Sequence, residues 1–312
     1  MKAVRLHEFG GPEVLQIEET SNVTLQPGQV RIKTSAAGVN PIDWKTREGG
    51  GAAGFIGELP VTLGWECAGE VIEVYGDEAT LKVGDKVAGL LNFPAAGNCY
   101  AEQIVAPAKQ LAICPECLDP VAAGGLPLTG LTAWQALFEG ANLQPGQRVL
   151  ILAASGGVGH LAVQLAKWKG AWVAGTASAS NRDYLLELGC DQVIDYHQEA
   201  AGRTVSDIDV IIDAVGGETA IEALACLNKT GTVITLPSNT AAAVIAAAEQ
   251  RGVKAQGIRV RSDASQLSEL VQLMDKGRLK LHLDRSFPLQ QVAQAHQHSQ
   301  SGRARGKIVL TF

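Results

Sequence analysis

Three glycines, Gly156, Gly157 and Gly159, sit where an apolar run from Val149 to Leu152 gives way to Val158, Leu161, Ala162 and Leu165 at helical spacing. Positions without side chains at such a junction let the backbone approach an anion. The free amides and dipole of a new helix N-terminus favour negative charge there. The chemistry that fits is the cradling of a pyrophosphate, with Ser155, Gly156, Gly157 and Val158 making the bend. The spacing departs from the usual Gly-x-Gly-x-x-Gly, because Ala154 stands where the first glycine would be. A strand buried on both faces before the bend and an amphipathic helix after it supply the context of a dinucleotide site.

If the bend holds a dinucleotide, the end of the next strand discriminates between coenzymes. An acidic residue ~20 residues after the glycines would accept hydrogen bonds from the adenosine ribose of NAD. The chain has Gly175-Thr176-Ala177-Ser178 there instead. Ser178 can donate to a 2′-phosphate and Arg182 can neutralise it, which favours NADPH. Arg182 as a solvated helix-face charge and Ser178 as a helix N-cap stay open as alternatives. Tyr196 ends the third strand, where it packs near adenine, reaches the phosphate or is simply half-buried. Val215, after Asp213, and Pro237 with Ser238 end the fourth and fifth strands. Ligands of open α/β sheets bind at such carboxyl ends, so these backbones are expected along the ribose and nicotinamide sides.

The elements that must position these residues follow from patterning. The first ~120 residues are rich in strand and turn signals, with Gly10-Gly11-Pro12, Gln26-Pro27-Gly28, Gly49-Gly50-Gly51 and Val83-Gly84-Asp85 punctuating apolar runs. After Pro120 strands are expected at 148–153, 171–176, 192–195, 208–214, 231–236 and 253–258. Helices are expected at 157–169, 180–188, 217–227, 240–250 and 263–276. This alternation predicts an α/β fold with a doubly wound parallel sheet. A final helix, 289–299, and strand, 306–311, fall after that series is complete and are expected to return to the first domain. The predicted boundaries are 1–122, completed by 283–312, and 123–282.

With 312 residues, 46% of them apolar, and a net charge of -6, the chain has the material for two globular domains and no polyanion-binding character. Nucleic acid and membrane are excluded as expected partners: basic residues are scattered, and no run reaches ~18 apolar residues. The opening Met-Lys-Ala-Val-Arg-Leu reads as a strand rather than a signal peptide, so a cytoplasmic location is the expectation. Six cysteines read as reduced core residues. Cys114-Pro-Glu-Cys117 alone has the spacing of a redox pair or half a zinc site, but no matching second pair accompanies it.

Several dispersed stretches carry a resemblance. They are Gly10 to Leu15, Ala37 to Lys45, Gly64 to Gly69, Val83 to Val87, Pro127 to Trp134, the Gly156 bend, and Ala304 to Leu310. In this order the chain resembles the zinc-independent quinone oxidoreductase branch of the medium-chain dehydrogenase/reductase superfamily, over nearly its whole length. The resemblance implies a GroES-like β-barrel domain for the substrate and a Rossmann domain for NADPH. The zinc enzymes of that superfamily bind their catalytic metal through cysteine, histidine and cysteine, where this chain has Asn40, Trp65 and Gly125. No metal site is therefore expected.

The same resemblance places Thr129 against the nicotinamide half of the coenzyme, Val158 beneath ring and phosphates, and Lys307 on the pyrophosphate, unless Lys307 is a surface charge before an edge strand. Asn40 would hydrogen-bond the nicotinamide ribose or the substrate carbonyl, or else form the turn before Pro41. Tyr100 is the side-chain candidate for touching substrate, with apolar packing as its alternative. The implied reaction is hydride transfer to a quinone or similar conjugated carbonyl. The alternatives are reduction of an enal or enone carbon-carbon double bond, and a low-turnover NADPH-binding sensor or structural protein. A homodimer through edge strands of the nucleotide domain is also implied.

Overall fold

The computed structural model describes residues 1–76 and 81–312, and the chain divides into two compact units, Met1–Leu131 with Arg261–Phe312 and Thr132–Val260. Among the described residues no helix is long and apolar enough to cross a membrane.

The first unit opens with β1 (Lys2–Leu6), β2 (Leu15–Glu19) and the long β3 (Gln29–Val39), followed by the short helix α1 (Pro41–Arg47). Then come β4 (Val61–Thr62), β5 (Glu66–Tyr75), β6 (Lys86–Leu90), β7 (Gln103–Pro107) and β8 (Leu111–Ile113), before α2 (Pro120–Gly125) and α3 (Pro127–Trp134). β1 lies between β2 and β4 in a small sheet. β3 is the centre of a larger one, paired antiparallel with β5 and with β7. Asp119 begins α2 by accepting the Val121 amide, and prolines occupy the first turns of α1 and α2, where a missing N–H costs nothing. Neither α1, α2 nor α3 was expected from patterning, since none has room for a full amphipathic repeat.

The second unit alternates β9 (Arg148–Ile151), α4 (Gly159–Trp168), β10 (Trp172–Ala177), α5 (Arg182–Glu187), β11 (Gln192–Asp195), α6 (Ala201–Thr204), β12 (Ile208–Asp213), α7 (Gly217–Ala223), β13 (Leu227–Thr235), α8 (Ala241–Gln250) and β14 (Lys254–Gly257). All pairings are parallel, in the order β11-β10-β9-β12-β13-β14. This is the doubly wound arrangement expected, with the strand order reversing at β9, between β10 and β12. Val149, Leu150, Ile151, Ile211 and Val233 have no exposed surface, because helices cover both faces of the sheet. The main departures are a π-helix at Gln135–Gly140 and the shortening of the expected helices 180–188 and 217–227 into α-helix plus one 3-10 turn.

The chain then returns to the first unit earlier than patterning suggests, at Arg261 rather than 283. α9 (Ala264–Asp275) is capped by Asp263 and buries Leu267, Leu270, Val271 and Leu273 within that unit. β15 (Leu283–Pro288), α10 (Val292–Gln300) and β16 (Lys307–Thr311) complete it. β16 pairs antiparallel with β3, Ile308 opposite Val39 and Leu310 opposite Ala37, so the last strand of the sequence closes on the first domain's central strand.

Candidate functional site

In the second unit the parallel sheet gathers the carboxyl ends of its strands along one edge, and the sequence-selected residues fall there. The bend after β9 is built by Ala153, whose left-handed φ of 56° turns the chain away from the strand. It is pinned to β10 twice: Ala153 N–H donates to Thr176 Oγ1 at 3.0 Å and Ala154 N–H to Thr176 O at 2.9 Å. Gly159 permits α4 to start against this bend, since a Cβ there would stand 2.3 Å from Ala153 O and 2.7 Å from Ala154 Cα. Gly159 thus serves the packing of the helix on the bend, whereas a Cβ at Gly156 would meet only Ala153 O, at 3.3 Å, and it is this side of the bend, at the N-terminus of a ten-residue helix, that suits the approach of an anion. His160, buried in the first turn, holds Nδ1 2.9 Å from Gly156 O and braces the bend.

At the end of β10, Ser178 lies within a polar group that sequence reasoning only half identified. Its Oγ is 3.1 Å from Ser180 Oγ and accepts from Asn181 Nδ2 at 3.1 Å. Arg182 is exposed, and its Nη1 donates to Val193 O at 3.3 Å, which tethers the guanidinium to the neighbouring strand. Ser178, Ser180 and Asn181 are joined here by side-chain hydrogen bonds, Arg182 follows at the start of α5, and Asp195 of β11 stands opposite Ala177. Tyr196 is 55% exposed, its backbone N–H donates to Ala177 O, and its ring lies against that of His197. Val215 is exposed on a turn that Asp213 organises. Buried Asp213 accepts from the amides of Val215 and Gly216 with Oδ1, and from Thr235 Oγ1 with Oδ2. Pro237 and Ser238 follow β13, with Thr240 Oγ1 donating to Pro237 O. Asp213 was passed over as a strand residue; a carboxylate inside an apolar run is the signal that could have found it.

In the first unit a buried polar cluster forms around Glu66 of β5. Glu66 Oε1 lies 2.8 Å from Lys307 Nζ and accepts from Asn40 Nδ2 at 2.7 Å, while Oε2 accepts the Leu128 amide at 2.7 Å. Lys307 also donates to Asn40 Oδ1 and to Val39 O. Asn40 is therefore committed through both ends of its side-chain amide, and its backbone N–H donates to Asp43 Oδ2 at 2.7 Å. Thr129, buried on α3, donates from Oγ1 to Gly125 O.

Three expectations change in this unit. Lys307 is neither a surface charge nor a free cation: it is 2% exposed and its ammonium is spent on Glu66 and Asn40. Tyr100 is wholly buried, edge-on to His296 with ring centroids 5.8 Å apart, and not laid open to a substrate. Burial, and then the Asp43 charge, push its hydroxyl well above the usual tyrosine range. Asn40 is a structural hub, so its amide reaches a ligand only by exchanging an existing partner. Glu66 and Asp43 stand in stretches that carry the resemblance, but no site role was expected of either.

The remaining motif residues fill packing roles. Trp65 donates from Nε1 to Ala95 O at 2.7 Å and meets Phe93 edge-on. Cys114 is buried, which lifts its thiol to about 12, and exposed Cys117 donates to Asp275 Oδ1 at 3.3 Å. Thiols so placed resist forming the reactive thiolate. Among the described residues no three His, Cys, Asp or Glu side chains gather as a metal site would need.

Comparison with known proteins agrees with this division of labour. Residues 26–125 match the profile described as the alcohol dehydrogenase GroES-like domain, and residues 188–310 that described as zinc-binding dehydrogenase. The chain is 32% identical to a 2-haloacrylate reductase of Burkholderia sp, covering 99% of this chain and 98% of that protein. Its fold is similar to the quinone oxidoreductase of Coxiella burnetii, with TM-score 0.96 and 39% identity over 100% of this chain and 99% of that one. It is also similar to the Escherichia coli quinone oxidoreductase complexed with NADPH, with TM-score 0.89 and 26% identity over the whole of both chains. A nucleotide-type sheet whose strand ends carry the selected residues, a GroES-like unit closed by the C-terminal strand, and full-length likeness to these reductases place the chain in the zinc-independent quinone oxidoreductase branch of the medium-chain dehydrogenase/reductase superfamily, as an NAD(P)H-dependent oxidoreductase.

Proposed function

We propose that the enzyme uses NADPH in preference to NADH and reduces quinones or similarly conjugated carbonyls. The observation that carries the coenzyme choice is the end of β10, where Ser178, Ser180, Asn181 and Arg182 offer donors and one positive charge. A 2′-phosphate is matched by such a group, and a 2′-hydroxyl gains little from it. We assign the pyrophosphate to the backbone of Ser155 to Val158 and the adenine side to Tyr196. Val215, Pro237 and Ser238 take the ribose side, and Thr129 the nicotinamide half. Lys307 and Asn40 serve through the Glu66 cluster rather than by direct charge on the phosphates.

When bound, the coenzyme supplies a hydride equivalent. An electron-poor conjugated acceptor spreads the arriving charge over its own oxygen, so the protein's share is orientation, exclusion of water and a hydrogen bond. A residue list thin in acids and bases is what such a reaction needs. The likeness to a 2-haloacrylate reductase favours a second reading, hydride delivery to the β-carbon of a conjugated double bond. We also propose a homodimer through β14, an edge strand of the nucleotide sheet whose Lys254, Gln256 and Gly257 are exposed.

Steady-state oxidation of NADPH and NADH with a panel of quinones, enals and enones tests this reading. Faster turnover with NADPH and a quinone is expected. Reduction of enones alone would move the assignment to the double-bond reaction, and tight NADPH binding without turnover on any acceptor would replace an enzyme with a sensor.

A further inference from the structure

Asp43 lies on α1 wholly out of solvent. One carboxyl oxygen, Oδ2, accepts the Asn40 amide, but Oδ1 completes no hydrogen bond of normal geometry. The hydroxyl of Tyr100, equally buried, completes none either, and the two groups interact. The groups facing Asp43 come from four directions. They are the Asn40 amide on its own helix start, Glu66 of β5, Lys307 of β16, and Cys99 and Tyr100 from the segment before β7. Behind Tyr100, His296 of α10 packs on its ring, with Arg47 beside that imidazole. Burial and Arg47 hold His296 down at about 3, so it stays neutral through the physiological range.

An ionised Asp43 could take the Tyr100 hydroxyl as a donor to Oδ1, but it would set a second buried anion beside Glu66, with Asn40 bonded to both and one ammonium between them. Lys307 does not relieve it, since that ammonium already satisfies Glu66. A neutral carboxyl carries an O–H donor, and the Tyr100 hydroxyl is an available acceptor. Either sense of that hydrogen bond satisfies both orphaned atoms; what the added proton changes is the charge, leaving the cluster with one negative and one positive group in place of two negative and one positive.

We propose that Asp43 is carried in the folded chain as a neutral carboxylic acid that donates from Oδ1 to the Tyr100 hydroxyl. In this form it is the positioning residue for Asn40 and, through the Asn40 side chain, for the Lys307–Glu66 pair. The assignment of the proton stands on the cluster alone; its effect on turnover rests on the reductase reading above. Burial is the main cause that lifts the Asp43 carboxyl to about 7, with Glu66 adding to it and the Asn40 amide, Lys307 and the Tyr100 hydroxyl opposing. As pH rises past that point a second buried anion appears beside Glu66, competes for Lys307 and loosens Asn40.

The test is an infrared pH titration of the full chain between about pH 5 and about pH 9, following the carbonyl stretch of protonated carboxylic acids. A band lost with a midpoint near 7, absent from Asp43→Asn and displaced in Tyr100→Phe, is the expected result. Should Asp43→Asn fail to fold, the displacement in Tyr100→Phe makes the assignment. A titration in which no carboxyl ionises between about pH 6 and about pH 8 would overturn the proposal. In parallel, NADPH oxidation with a simple quinone should fall in wild type as pH rises through that midpoint. Asp43→Asn, which mimics the neutral acid, should lose this limb and exceed Asp43→Ala in kcat, because alanine leaves both the Asn40 amide and Tyr100 unpaired. The same limb in Asp43→Asn would remove Asp43 as the positioning residue. Absence of turnover with every acceptor sinks the reductase reading, while the infrared band still decides the state of the carboxyl.

Discussion

Lys307 on the last strand and Glu66 on β5 meet at 2.8 Å with side chains 2% and 0% exposed, a buried ion pair that ties the end of the chain to the middle of its first unit. Such pairs gain little over an apolar replacement of both partners but become expensive when only one is removed. Lys307→Met is therefore expected to cost about 3–5 kcal/mol, because it leaves the Glu66 carboxylate buried without a cation. Adding Glu66→Gln should recover part of that loss, since an amide oxygen can still accept the Leu128 amide. Urea unfolding of the two variants measures it. A single Lys307→Met variant as stable as wild type would mean that the ammonium does not serve Glu66 in solution.

The two units differ in how far their sites can be read from sequence. In the second unit each selected residue follows an apolar strand, and parallel pairing alone brings the strand ends of β9 to β13 to one edge; local pattern and fold class were enough. What escaped there is conformational, such as the left-handed Ala153, or a polar residue inside a strand, such as Asp213. In the first unit the cluster joins residue 40 to residue 307 across 267 positions, and no periodicity encodes that contact. Lys307 precedes an apolar strand and looks like an edge charge until β16 is known to pair with β3. The spacing Asn40-x-x-Asp43 was a usable hint, because a side chain three residues into a helix often reaches back to the N-cap amide.

The pH dependence of stability offers a check on Asp43 that needs no substrate. A carboxyl raised from its ordinary 3.8 to about 7 on folding contributes stability that is fully present below the lower value and is lost as pH rises to the upper one. At about 1.4 kcal/mol per pH unit the span is worth about 4 kcal/mol. Denaturant unfolding should therefore show wild type losing about that much relative to Asp43→Asn between about pH 4 and about pH 7, and nothing further above it. A constant difference between the two proteins would mean that Asp43 ionises alike in the folded and unfolded chain.

Arg182 tests the coenzyme assignment. Its guanidinium is exposed and held near β11 by Val193 O, so removing it disturbs no core contact. Arg182→Ala is expected to weaken NADPH binding roughly tenfold, about 1.4 kcal/mol, and to leave NADH binding nearly unchanged. Equilibrium fluorescence titration with both coenzymes gives the comparison. Equal weakening of the two would take the residue away from the 2′-phosphate.

Gly159 and Gly156 separate the two duties of the bend, folding and ligand approach. A Cβ at Gly159 would press on backbone atoms of Ala153 and Ala154 that cannot move without opening the bend, whereas one at Gly156 would meet only Ala153 O, at 3.3 Å. Because Thr176 holds Ala153 and Ala154 to β10, the strain from Gly159→Ala has nowhere to relax and should cost about 2 kcal/mol or more of stability. Gly156→Ala should fold with a much smaller penalty yet still weaken the coenzyme, since its methyl group intrudes on the surface the pyrophosphate approaches. Thermal unfolding of the two variants, paired with NADPH titration of each, distinguishes the duties. Equal losses of stability would show that the bend yields more readily than its double tether to β10 implies.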